Sequence, residues 1–104
     1  MMTDQESLSA RVARRLRDAR IKAGMTVREA AACVDISHTL IVKYENGTVA
    51  PSFDRLDALA RIYKLTPAAL LVEHDETMPL LVALDQADAT QLTQLLIMLE
   101  SVRR

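Results

Sequence analysis

"DISHTLIVKYENG", residues 35–47, decides how this chain is read. It opens on Asp35, which tolerates the left-handed backbone region better than most residues. Ser37 can start a helix by accepting from a backbone N–H in the first turn. Asn46 and Gly47 close it, because glycine adopts positive φ without steric cost. The stretch therefore predicts a short helix over 38–46. With Ile41 set inward and about 100° per residue, Tyr44, Ser37 and Glu45 fall near the buried side. Thr39, Lys43 and Asn46 fall within about 40° of the opposite face. Leu40 and Val42 lie on the two flanks, and His38 sits at the N-terminal end.

Working outward, "TVRE" at residues 26–29 fits a capping box and starts another short helix to about Val34. Its centre, Ala30-Ala31-Ala32, has so little side-chain volume that another backbone can approach closely. Two short helices, a tight turn at 35–37 and small residues at the crossing describe a helix-turn-helix. A longer helix precedes it over about 7–23, with Leu8, Val12, Leu16, Ala19 and Ala23 at helical spacing. Arg11, Arg14, Arg15, Arg17 and Lys22 are expected mostly on its other faces. Gly24 suits its C-terminus.

Downstream, Ser52 caps a fourth helix whose apolar positions are Phe53, Leu56, Leu59, Ala60, Ile62 and Tyr63. Thr66 and Pro67 open a fifth. Residues 73–78, "EHDETM", read as a polar linker. Pro79 begins a short helix to about Gln86. Asp88, with Gln91 three residues on, caps a last helix over about 89–103.

Composition agrees with an all-α chain. Half of the 104 residues are hydrophobic but only three are aromatic, so the core must be aliphatic. Two glycines and three prolines leave little material for sheet turns. The lone Cys33 cannot form an internal disulfide, which fits a cytoplasmic setting. No apolar run approaches the roughly 20 residues of a membrane span, and the N-terminus has no signal-peptide stretch. No paired acids, nucleophile–base pair or phosphate loop is present, so an enzyme is not expected. Cys33, His38 and His74 are isolated, so no metal or cofactor is expected either.

Net charge is −1, but its distribution is uneven. Residues 1–72 hold 11 Lys/Arg against 8 Asp/Glu, and residues 73–104 hold 2 against 6. A mildly basic front segment therefore precedes an acidic rear segment.

Residues 16–71, "LRDARIKAGMTVREAAACVDISHTLIVKYENGTVAPSFDRLDALARIYKLTPAALL", resemble the lambda-repressor/Cro-like (XRE) family. The matching positions include Leu16, Arg17, Arg20, Gly24, Thr26, Ala31, Val34, Ser37, Ile41, Glu45-Asn46-Gly47, Pro51 and "LTPAALL". The resemblance implies a five-helix domain that binds operator DNA as a homodimer and represses transcription. It also implies that Arg20 and Glu45 pair, tying the first helix to the end of the third.

On this reading His38, Thr39 and Lys43 face base edges, with Leu40 and Val42 against thymine methyls or sugars. Phosphate contacts are expected from Thr26, Val27, Arg28 and Ser37 at helix N-termini, and from Asn46, Thr48 and Arg20. The chain departs from the family at Val27, where a glutamine is usual, and at Ala30 and Asp35, where leucine and glycine are usual. The loop "TVAPS" lacks the usual Lys or Arg.

In the rear segment Leu92, Leu95, Leu96, Leu99 and Val102 share one helical face, and Ile97 falls away from it. Such a face packs within its own chain or forms a self-complementary dimer interface; a twofold DNA reader favours the dimer. The expected organisation is a DNA-binding domain over 1–72, a linker over 73–78 and a dimerisation segment over 79–104. The expected partners are double-stranded DNA and a second copy. An alternative is an antitoxin or other interaction module that uses the same fold to bind a protein such as a toxin.

Overall fold

The computed structural model describes residues 6–102. It holds α1 (Leu8–Lys22), α2 (Val27–Cys33), α3 (His38–Glu45), α4 (Phe53–Ile62), α5 (Pro67–Leu71), a 3-10 turn (Asp75–Thr77), α6 (Met78–Gln86) and α7 (Ala89–Val102). The described residues contain no strand. No helix among them is long and apolar enough to cross a membrane.

Local chemistry sets most helix starts. The hydroxyls of Ser7, Thr26, Ser37, Ser52 and Thr66 each accept from the backbone N–H three residues on. Each such cap stabilises its helix by about 1 kcal/mol. Thr26 forms the full box: Glu29 Oε1 accepts from the Thr26 amide at 2.8 Å, and the Glu29 amide donates to Thr26 Oγ1 at 3.0 Å. Asp88 and Gln91 make the equivalent reciprocal pair at the start of α7.

Turns are set by positive φ. Gly24 and Gly47 lie at +73° and +79°. Asp35, between α2 and α3, lies at +56°, so aspartate does here what glycine does more easily. Lys64, between α4 and α5, lies at +64°.

The core gathers Val12 and Leu16 from α1, Ala30 and Ala31 from α2, and Ile41 and Tyr44 from α3. Leu56, Leu59, Ala60, Tyr63 and Leu70 complete it. Full burial of each of Leu16, Ile41, Leu59 and Leu70 stabilises the fold by roughly 1.5–3 kcal/mol. Ala30 is fully buried. A larger side chain there would push α2 off its neighbours, at about 1–3 kcal/mol.

Three expectations change. Leu8 and Phe53, placed on apolar stripes by spacing, are 49% and 88% exposed. Each lies in the first turn of its helix and overhangs the core. Arg15, expected on an outer face, is 2% exposed. Its Nη1 donates to the carbonyls of Leu70 and Val72, and its Nε donates to Asp75 Oδ1 at 2.9 Å. The guanidinium thus satisfies carbonyls that the short α5 leaves open.

Arg14 also reaches Asp75, at 3.1 Å. Within the stretch read as a linker, Asp75 is therefore clasped by two arginines of α1. The 3-10 turn leads directly into α6, and Met78 packs against the core. α7 is different: none of its residues is buried.

Candidate nucleic-acid interface

α2 and α3 pack on each other across the turn at Asp35, with Ala30 and Ala31 buried at the contact. That leaves one face of α3 outside. Ile41 and Tyr44 are 1% and 4% exposed, so the helix is fixed in rotation. His38, Thr39, Val42, Lys43 and Asn46 are exposed in consequence. Their side chains offer an imidazole, a hydroxyl with a methyl, an isopropyl group, an ammonium and an amide. Such groups can donate to, accept from or pack against base edges in a major groove.

Leu40, expected on the flank, is half-buried and packs against the core. Val42 on the other flank is 44% exposed. Val27 is likewise half-buried against the core, so its side chain cannot replace the usual glutamine. The capping box occupies the amides of Thr26 and Glu29, which leaves the N–H groups of Val27 and Arg28 as the open donors of that helix start. Bonding to the backbone and hydroxyl of Thr26 holds the Glu29 carboxyl below its ordinary range. A fixed negative charge therefore stands beside Thr26 and Arg28. Ser37 spends its hydroxyl on the Leu40 amide.

The loop after α3 is tightly wound. Asn46 Oδ1 accepts from the Thr48 amide at 2.9 Å and from the Thr48 hydroxyl. Thr48 and Val49 both donate backbone N–H groups to Lys43 O. Asn46 and Thr48 are therefore rigid and exposed, and Asn46 keeps its amide NH2 as a donor.

Arg20 and Glu45 pair, with side-chain exposures of 12% and 8%. A third arm, Nη1, donates to Met25 O at 3.0 Å. Three of the five guanidinium N–H donors are thus committed inside the protein, and Glu45 holds the guanidinium protonated more firmly than usual. Burial, with Glu45 nearby, pushes the Tyr63 phenol up to about 12.

Spacing alone missed two features of this region. Arg55 of α4 donates to the Tyr44 hydroxyl at 3.3 Å, bracing α3 from behind. Val49 and Phe53 add exposed apolar surface after α3. Among the described residues no three His, Cys, Asp or Glu side chains gather as a metal site.

A family model described as a helix-turn-helix domain matches residues 11–72, more than half of the chain. The chain belongs to the helix-turn-helix domain family. Membership supports a DNA-binding transcriptional regulator and puts α2 and α3 at the centre of the helix-turn-helix domain.

Two solved structures share the fold. The clp gene regulator ClgR from Corynebacterium glutamicum is 24% identical, with a TM-score of 0.63 over 80% of this chain and 88% of that one. The transcriptional regulator BswR is 22% identical, with a TM-score of 0.68 over 86% and 92%. The second likeness covers more of the chain than residues 1–72 can supply, so it extends into the rear segment. No curated protein matches the sequence.

Proposed function

We propose that this helix-turn-helix protein binds a palindromic DNA operator as a homodimer and represses transcription. The observation that carries the reading is the fixed rotation of α3. Ile41 and Tyr44 are buried, and that holds Thr39 and Lys43 outward, with His38 at the leading end. Lys43 donates to guanine O6 and N7, Thr39 offers its hydroxyl and methyl, and Val42 lies against a thymine methyl. Arg28, Asn46, Thr48 and the open N–H groups of α2 and α3 meet phosphates. Two such helices must stand about 34 Å apart to read a palindrome, which a dimer supplies. Leu92, Leu95, Leu96, Leu99 and Val102 of α7 supply the apolar surface for that dimer.

Selection of bound sequences from random duplex DNA tests this reading. It predicts a motif with twofold symmetry. Recovery of no motif, with Lys43→Ala leaving binding unchanged, would overturn the base-reading assignment.

A second reading is a protein-interaction module such as an antitoxin. The exposed Val42, Val49 and Phe53 after and beside α3 favour it. Val42→Ser separates the two: the first reading expects weaker DNA binding, and the second expects DNA binding unchanged and loss of a co-purifying protein.

A further inference from the structure

A groove of about 650 Å³ lies between α1, the α4–α5 turn and α6. Small-molecule sites commonly measure about 300–1,000 Å³ and pair an apolar wall with a few polar groups. Ala19, Leu65, Met78 and Val82 supply much of the apolar wall here. Among the described residues none of α7 lines the groove, so the chain's own last helix does not fill it.

The charged groups of that wall are unevenly matched. Arg14, Arg15, Lys22 and Lys64 stand against only Asp18 and Asp75. Both acids are already taken up by arginines, Asp75 by Arg14 and Arg15 and Asp18 by Arg14. Lys22 and Lys64 join no ion pair among the described residues. Arg15 is 2% exposed, yet its Nη2 has no hydrogen-bond partner among the described residues. The wall is therefore short of acceptors as well as of negative charge. Lys64 also holds its backbone at φ +64°, where glycine would be relaxed. A side chain kept at a strained position beside a cavity points to a use for that side chain.

We propose that this groove binds a small amphipathic organic acid, a carboxylate on an aliphatic body. The carboxylate meets the ammonium groups of Lys22 and Lys64, and the body lies along Ala19, Leu65, Met78 and Val82. A neutral molecule would leave the excess of cations unmatched. A short acid would leave the apolar wall wet, and a nucleotide or sugar phosphate would set polar groups against it. The occupant touches α1 and the α4–α5 turn on one side and α6 on the other, so it ties the helix-turn-helix half to the first rear helix. The site depends neither on the operator reading nor on a dimer.

The test titrates the full-length chain, without DNA, with octanoate, 1-octanol and acetate, and follows methyl-labelled methionines by NMR. Octanoate should bind saturably and shift the Met78 methyl signal, while that of Met98 on α7 stays in place. Octanol and acetate should bind about tenfold more weakly or worse. The double variant Lys22→Gln with Lys64→Gly should lose about tenfold in octanoate affinity. Its melting temperature should be no lower than the parent's, since glycine relieves the strain at position 64, so the loss is not one of folding. Absence of saturable octanoate binding overturns the proposal. Octanol bound as tightly as octanoate, a shift at Met98 in place of Met78, or a double variant that binds like the parent each overturns it as well.

Discussion

The Arg20 guanidinium grips the Glu45 carboxylate at two points, Nε to Oε2 at 2.7 Å and Nη2 to Oε1 at 3.0 Å. The pair fastens α1 to the last residue of α3. Removing one partner leaves the other charge largely desolvated and alone. Glu45→Ala is expected to cost about 3 kcal/mol in urea unfolding. The double change Arg20→Met with Glu45→Leu should recover most of that loss, since apolar replacements fill the same space without an orphaned charge.

Lys43→Ala should leave thermal stability within about 0.5 kcal/mol of the parent, because the side chain is exposed. Binding to the selected DNA motif should weaken by about 1–3 kcal/mol. Binding to unrelated DNA should change little, and a gel-shift comparison of the two sequences reads the difference.

Arg14 and then Arg15 hold the Asp75 carboxyl below its ordinary range. The folded state therefore binds this proton less readily than the unfolded state does, and the clasp stabilises the fold while Asp75 is ionised. Its contribution is complete above the unfolded value of about 3.9 and is lost as pH falls through the lower folded value. Wild type should be more stable than Asp75→Asn at neutral pH. The two melting temperatures should converge below about pH 4. Parallel curves down to strong acid would contradict the clasp.

Asp35 and Lys64 hold positive φ without being glycine. Lys64→Gly should raise stability by about 0.5–1 kcal/mol, because the strain of an L side chain in that region exceeds the added freedom of the unfolded chain. Asp35→Gly should gain less, since aspartate tolerates the region better. The converse change, Gly47→Ala at +79°, should cost about 1 kcal/mol. Calorimetry on the three variants orders them.

Truncation after Gln86 keeps the Asp75 clasp and α6 but removes α7. The shortened chain should keep its helical spectrum, sediment as a monomer and lose affinity for a palindrome while still binding a half-site weakly. If it sediments as a dimer, α7 is not the interface.

Helix starts were legible because each is written in a few adjacent residues. The Thr26–Glu29 box, Ser37 before α3 and Thr66-Pro67 before α5 need no tertiary information. Rotation of α3 was legible for a similar reason: Ile41 and Tyr44 are the inward apolar pair at helical spacing. Positions that depend on where the core ends were not. Phe53 lies on the same stripe as Leu56 and Ala60, yet overhangs the core. Arg15 carried a signal that charge alone obscured. It sits three residues after Val12 and four before Ala19, on the inner stripe of α1. Only the fold reveals the Leu70 and Val72 carbonyls that make an arginine acceptable there.

Among the described residues, six of the seven α-helices begin on a side-chain cap, and α6 has none. This difference bears on the order of assembly. The capped helices carry their own start signals before they meet, and local contacts of this kind favour folding in microseconds to milliseconds. The turn that leads into α6 is instead held by α1, through Arg14 and Arg15 on Asp75. The helix-turn-helix half can therefore form first, and α6 is set in place afterwards.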